Sequence, residues 1–409
     1  MKGMKVENEI DYKKLIDRKE LELGALLEIT QAINNNLPEE SLYKIFNFTL
    51  RSNLQIKKLA LFVFDRIWSC KVTFGTTKNY QKIKLDSRVE LIKSIHRIEE
   101  FTNCDFDEFD LVIPISHKSE TLALVFVGGL ENASGQNDAN IKFIQALSNI
   151  IVVAIENKKL ARQQLEQEAF RKELEIASDV QRFLFPEKLP NTDILKIEAS
   201  YLPHDRVGGD YYDYIPINAN QFLICVADVS GKGIPAALMM SNFQASLHTL
   251  LRQTPNLTEI IEALNYQVLE SAKGEKFITC FAAIYDLKLK TLVYVNAGHN
   301  PPILCMGKNI RLLEEGSTVL GALHPLPFVN EGFIENISQF TLFAYTDGLT
   351  ETFNEENKEY GQQALVDYFQ KNNGKDLKTI HNDIIINLDT FKGRNAYRDD
   401  ITMLSCRVH

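Results

Sequence analysis

Two apolar runs in this sequence stop on an aspartate, and that repeated ending constrains the fold more than any other feature. Phe222–Ala227 is followed by Asp228, and Phe340–Thr346 by Asp347. A short run of aliphatic and aromatic residues bounded by polar turns reads as an interior strand, so both carboxylates stand at strand ends. A third aspartate, Asp210, follows Gly208 and Gly209, where the backbone can bend or approach a neighbour closely. Near the C-terminus, Asp399 and Asp400 immediately precede the apolar run Ile401–Val408. A lone aspartate beside a glycine is usually a turn cap. Repetition from distant parts of one chain points instead to convergence, and clustered carboxylates repel one another unless a cation lies among them. Oxygen donors of this kind suit a hard divalent ion such as Mg²⁺ or Mn²⁺.

Composition bounds the alternatives. At 409 residues the chain is long enough for two or three domains. A formal net charge of −9 argues against non-specific nucleic-acid binding, which needs a positive field. The six cysteines are scattered without a C-x-x-C pair, as expected of reduced, packed thiols. The opening MKGMKVENEIDYKK lacks the apolar core of a signal peptide, and no apolar run approaches the roughly 20 residues that span a bilayer. The expectation is a cytoplasmic protein with neither a nucleic-acid nor a membrane partner.

Residues 1–19 read as a polar, frayed or helical lead-in. Helical spacing follows at Leu23, Leu26, Leu27 and Ile33, and again at Leu42, Ile45, Phe46 and Leu50. Strand-like runs occupy 59–64, 71–74, 111–115 and 122–127. A long helix then begins near Asn140, with Ile141, Ile144, Leu147, Ile151 and Ile155 on one face. This predicts an α+β module over 20–156. Its element order resembles a GAF domain, which implies a sensor for a small-molecule or protein signal that remains unknown. The residues that mark cyclic-nucleotide binding in such domains are missing. Cys70 and Cys104 read as packed thiols rather than redox or chromophore sites.

Residues 157–190 read as a charged helical linker. Leu160, Leu165 and Ala169 are its sparse apolar positions at first. Ile176, Val180, Phe183 and Leu184 then recur at helical spacing, with Gln181 among them, before Pro186 and Pro190 stop the helix. That stripe predicts burial against the domain that follows. Ile151, Ile155, Leu160 and Leu165 predict pairing of two copies, hence a homodimer. Over 191–409, strands are expected at 197–201, 277–285, 291–296 and 302–306. Helices are expected at 234–251, 257–272, 361–369 and 377–391.

The segments GGDYYD, ADVSGKGIPAALMM, NAGHNPP, YTDGLTE and RDDIT occur in the order and approximate spacing of the PPM metal-dependent serine/threonine phosphatases. They are most similar to the bacterial, SpoIIE-like branch, and the resemblance covers residues 175–409. It implies an α-β-β-α sandwich, two stacked antiparallel sheets between helices. It also implies two ions, Mn²⁺ or Mg²⁺, bridged by Asp228 and held further by Asp210, Asp347, Asp399 and the Val229 carbonyl. A water activated by the ions attacks phosphorus in line, with no protein nucleophile. Asp213 reads as a hydrogen-bond acceptor behind the ligands. Asp400 falls where many relatives carry asparagine. Lys232 is either a phosphate contact or a solvated loop residue, and His299 reads as loop packing before proton transfer. Relatives outside the bacterial branch carry a histidine after the bridging aspartate; none is matched here, so the general acid is unassigned.

The segment holding Ile176, Val180, Gln181, Phe183 and Leu184 resembles a helix that packs on the catalytic core and switches it. The implied function is dephosphorylation of phosphoserine or phosphothreonine on a small STAS-type (anti-anti-sigma) protein, gated by the N-terminal module. One alternative is a catalytically weak scaffold, which the filled carboxylate positions disfavour. Another is a two-metal hydrolase of nucleotides, which the motif set disfavours.

Overall fold

A computed structural model describes the backbone of residues 2–53, 56–83, 85, 92–98, 104–117, 120–129 and 136–409, without the side chains of 2–11, 14–15, 53, 104 and 136–137. The chain divides into two units, Met1–Glu168 and Ala169–His409. In the first, α1 (Lys2–Asn34) and α2 (Glu39–Asn53) precede β1 (Lys58–Asp65) and β2 (Ile67–Phe74). Next come β3 (His96–Arg97), β4 (Leu111–His117) and β5 (Glu120–Gly128). The sheet order is β2-β1-β5-β4-β3, with every pair antiparallel. Alternation along β1 splits the core: Leu59, Leu61 and Val63 meet Ile29, Phe46 and Leu50 of the helices. Ala60 and Phe62 face an aromatic cluster of Tyr80, Phe106, Phe109 and Phe126 on the other side.

A single helix, α3 (Gln136–Arg182), then runs from the closing helix of the module through the charged linker. Its first half carries Ile144, Leu147, Ile151 and Val152 into the core of the first unit. Ile151 is therefore unavailable for the dimer seam proposed from sequence. This apolar half gives α3 the length and hydropathy to cross a membrane, and Ile144, Leu147, Ile151 and Val152 of it are buried against the sheet. The thiol of Cys70 is packed and pushed up to about 12 by burial. That of Cys104 lies outside the described residues.

The second unit begins with β6 (Leu195–Leu202), β7 (Tyr211–Pro216) and β8 (Gln221–Val229), then the helices α4 (Ile234–Gln253) and α5 (Leu257–Ala272). A hairpin of β9 (Ile278–Asp286) and β10 (Thr291–Ala297) and a second hairpin, in the other sheet, of β11 (Ile303–Met306) and β12 (Asn309–Leu312) follow, with short β13 (Gly316–Ser317) and β14 (Gly332–Ile334). β15 (Phe340–Tyr345) leads through α6 (Asp347–Thr350) to α7 (Gln362–Asn372), α8 (Leu377–Lys392) and the last strand, β16 (Ile401–Val408). One sheet is ordered β13-β10-β9-β8-β7 with β14 beside β10; the other is β12-β11-β15-β16-β6.

Strand β8 shows why the apolar run is nearly continuous. Leu223, Cys225, Ala227 and Val229 pack under α4 and α5, whereas Phe222, Ile224 and Val226 pack between the sheets against Phe281, Leu342 and Leu404. On the far side, Phe343, Tyr345 and Met403 meet Phe369, Ile380 and Ile384 of α7 and α8. The result is the expected α-β-β-α sandwich, in which both sheets are covered on both faces.

Phe281, fully buried between the sheets, tests this layering. Truncation to alanine is expected to cost about 3–5 kcal/mol, read as a lower denaturant midpoint of the second unit at unchanged m value.

A candidate metal centre between the two sheets

Antiparallel pairing brings the end of β15 beside the start of β16, with Tyr345 opposite Met403. Asp347 and the pair Asp399–Asp400 therefore lie at one end of the second sheet. In the first sheet Tyr211 pairs with Ala227, which sets Asp210, just before β7, beside Asp228. The two halves are joined directly. The Thr346 and Thr402 hydroxyls donate to Asp210 Oδ2 at 2.7 and 2.5 Å, and the Thr402 amide donates to Thr346 Oγ1 at 2.9 Å. Asp210 is thus a buried carboxylate of one sheet held by hydroxyls of the other.

The electrostatics follow from burial and crowding. Burial first, then the facing Asp228 carboxylate, pushes Asp210 well above its ordinary range. Asp228 is raised to about 7 by burial and then by Asp347 and Asp399. Asp347 is raised by burial and Asp399. Asp400 is raised by burial too, against the His204 and Gly209 amides that donate to it at 2.7 and 3.1 Å. A set of carboxylates that disfavours its own ionisation is one that a cation stabilises.

The donor set fits a hard divalent ion: carboxylates Asp210, Asp228, Asp347 and Asp399 with the Val229 backbone oxygen, and no sulfur or imidazole. Among the described residues no three acidic, histidine or cysteine side chains close to ligating geometry by themselves, so the fit rests on donor chemistry and on the backbone around it. That backbone is cut close. A Cβ on Gly209 would stand 2.8 Å from the Val229 oxygen, and one on Gly348 would stand 2.0 Å from the Asp400 oxygen. Only glycine lets these chains approach so near.

Other residues singled out in the sequence are placed differently. Asp213 does not stand behind the metal ligands. Three residues along a strand reverses the side-chain direction, so Asp213 points away from Asp210, to the α4 face. There it accepts from the Tyr211 hydroxyl, from Tyr214 N–H at 2.7 Å and pairs with His248 Nε2 at 2.6 Å. Asp400 straps the loop before β7 through the His204 and Gly209 amides. Lys232 Nζ pairs with Asp399 Oδ2 at 2.8 Å. His299 is buried, with Nδ1 2.9 Å from Thr279 Oγ1, and burial lowers its imidazole to about 4. A neutral packed histidine matches the loop-packing reading.

The apolar stripe is the main correction. Ile176, Val180 and Phe183 are 65%, 58% and 78% exposed, while Gln181 is 6% exposed. Gln181 Nε2 donates to the Gly208 oxygen at 2.7 Å and Oε1 accepts from Gly208 N–H at 3.2 Å. Past the helix end, Leu184 and Phe185 join the core, Phe185 stacking on Tyr212 at 4.7 Å. The helix is docked by the Gln181 carboxamide gripping one glycine and by the Arg206–Glu175 ion pair, not by its stripe. Periodicity finds apolar faces and is blind to a single amide–backbone pair.

The profile of the family described as stage II sporulation protein E (SpoIIE) matches residues 218–409. The chain is 28% identical over 246 residues to the phosphoserine phosphatase RsbU of Bacillus subtilis, covering 59% of this chain and 71% of that protein. It is 24% identical over 326 residues to the protein IcfG of Synechocystis sp., covering 72% of this chain but only 51% of IcfG. To the phosphoserine phosphatase RsbP of B. subtilis it is 27% identical over 185 residues, 45% of that protein. Among solved structures, the SiaA-PP2C domain of Pseudomonas aeruginosa superposes with a TM-score of 0.54 at 21% identity, covering 60% of this chain and 99% of that domain. That likeness shows the fold.

Protons and a metal ion compete for this cluster, which gives a signed pH dependence. With its folded pKa at about 7, above the usual carboxylate value of 3.8, Asp228 binds a proton more tightly folded than unfolded. In chelator, stability is therefore expected to fall as pH rises from about 4 to about 7. Thermal melts should show Asp228→Asn flattening that slope, and added Mn²⁺ reversing it.

Proposed function

We propose that this chain, whose C-terminal region is a SpoIIE-like PPM serine/threonine protein phosphatase, dephosphorylates phosphoserine or phosphothreonine on a small STAS-type partner under the control of its N-terminal unit. The observation that carries the catalytic reading is the convergence of Asp210, Asp228, Asp347 and Asp399 from separate strand ends, with the two sheets tied through Asp210. Asp210, Asp228, Asp347, Asp399 and the Val229 oxygen would hold Mn²⁺ or Mg²⁺, and two ions so held supply neutralisation of phosphoryl oxygens and activation of water. The protein's own part is positioning. Thr346 and Thr402 orient Asp210, and Gly209 lets the Val229 oxygen stand free of side chains. The names of RsbU and RsbP support phosphoserine as the substrate class.

Gating is assigned to Gln181. It holds Gly208, two residues from Asp210, and the next amide, of Gly209, holds Asp400. A shift of the α3 end would therefore be felt first at the backbone that positions Asp210. The N-terminal unit, read as a GAF-like sensor for an unknown ligand or protein, acts through that end of the helix. Exposed Leu160, Leu165 and Phe170 on α3 support a homodimer in the same proposal, and the cytoplasm is its location.

Activity on a phosphoserine peptide, against a nucleoside triphosphate, tests the reaction class. Asp228→Asn or Asp347→Asn is expected to lower turnover at least on the order of 1,000-fold, as loss of transition-state charge stabilisation does. Full turnover in excess chelator overturns the mechanism. For gating, Gln181→Ala is expected to weaken Mn²⁺ affinity roughly 10-fold, as for a partner behind the ligands, while Val180→Asp leaves it unchanged. The reverse pattern would return the switch to the apolar stripe.

A further inference from the structure

The ion pair between Lys232 and Asp399 lies inside the carboxylate cluster. Lys232 Nζ stands 2.8 Å from Asp399 Oδ2 and also donates to the Arg398 backbone oxygen. Its charge reaches further, lowering both Asp347 and Asp400 against their burial. An ammonium held on that oxygen meets any divalent ion bound by Asp399 as a like charge. Coulomb repulsion between such neighbours is strong in a half-buried setting.

The loop fixes the backbone of Lys232 and leaves its side chain room to move. Its root is fixed: Ser230 N–H donates to the Phe277 oxygen at 2.9 Å, Phe277 N–H donates to Ser230 Oγ at 3.0 Å, and Lys276 Nζ donates to the Ser230 oxygen at 2.7 Å. Beyond that anchor, Lys232 sits between Gly231 at φ +88° and Gly233 at φ +72°. Both are left-handed conformations that glycine adopts and leaves without steric cost. On the far side the Gly233 oxygen accepts from Ala237 N–H at 3.1 Å as α4 begins, so the backbone is held at both ends and the freedom left to Lys232 is that of its long side chain, 44% exposed.

We propose that Lys232 is a built-in competitor for Asp399: a divalent ion displaces its ammonium from that carboxylate, and the displaced ammonium then binds the phosphoryl oxygens of the substrate. This rests on the metal-centre reading above. It couples the two events, since the same side chain that opposes the ion contributes to substrate binding only after release. Ion occupancy at Asp399 and phosphate affinity therefore rise together.

Calorimetric titration of Mn²⁺ into the chelator-stripped full chain tests the first half, and competitive inhibition by inorganic phosphate against p-nitrophenyl phosphate tests the second. Lys232→Gln is expected to bind Mn²⁺ roughly 3–10-fold tighter, because a partly exposed pair and its like-charge repulsion are removed. The same variant should be inhibited by phosphate about 5-fold or more weakly, given the strength of charge-assisted phosphate contacts. Lys232→Arg should stay near wild type in both. Equal or weaker Mn²⁺ binding in Lys232→Gln overturns the competition, and unchanged phosphate inhibition overturns the second role. Asp228→Asn separates this from the underlying reading. If it abolishes Mn²⁺ binding while Lys232→Gln changes nothing, only the Lys232 inference falls. If Asp228→Asn binds Mn²⁺ as wild type does, the metal-centre reading falls and takes this inference with it.

Discussion

The catalytic unit depends on one carboxylate held across two sheets. Asp210 leaves the edge of the first sheet and accepts from Thr346 and Thr402 of the second. Sheet-on-sheet packing by itself is non-directional: Val226, Phe281, Leu342 and Leu404 exclude water and set the spacing. They do not fix how far one sheet slides over the other. A buried carboxyl group with two hydroxyl partners does, because a slip of an ångström or so leaves a buried polar group without partners in low dielectric, which is costly. The register of the sandwich and the geometry of the site are thus one constraint.

The same contact explains why both threonines belong to the motifs. Thr346 lies in YTDG and Thr402 in DDIT, each next to or near an acidic residue that draws the eye. The acidic residues carry the charge of the site, and the threonines carry its alignment. Gly208, Gly209 and Gly348 are the third component. They allow the Val229 and Asp400 oxygens to come within distances that any side chain would block. Charge, alignment and clearance come from three residue types, and all three are clustered at the strand ends.

Much of this was legible in the sequence, for a physical reason. Strands buried on both faces, such as β8 and β15, write themselves as unbroken apolar runs, and the aspartate that ends each run marks where the interior meets the site. Helices α4, α5 and α8 showed through their periodic faces. What failed did so where spacing and contact part company. The stripe of Ile176, Val180 and Phe183 has helical spacing yet stands in solvent, since spacing shows which side chains share a face and not whether that face is covered. Asp213 shares a motif with Asp210 and points the other way, a consequence of strand alternation that its motif conceals. The short strands β13 and β14 and the one-turn α6 carry too few residues for any period to appear.

The helix end and the metal centre share one piece of backbone, and that has a mechanical consequence. Gly208 is held by Gln181, the Gly209 amide is held by Asp400, and Asp210 is held by Thr346 and Thr402. Three consecutive residues are thus tied to three different elements: α3, the start of β16, and the β15–β16 pair. The two hydrogen bonds between Gln181 and Gly208 are individually modest, about 1 kcal/mol net each, too little to hold the fold together. They are well matched to biasing a local equilibrium, since a comparable free energy changes a population severalfold. A fully buried apolar stripe would have locked the helix far more firmly. By docking through the Gln181 carboxamide, the surface Arg206–Glu175 ion pair and the ring of Phe185, while leaving Ile176, Val180 and Phe183 outside, the chain keeps the helix attached and the attachment weak. A switch needs both.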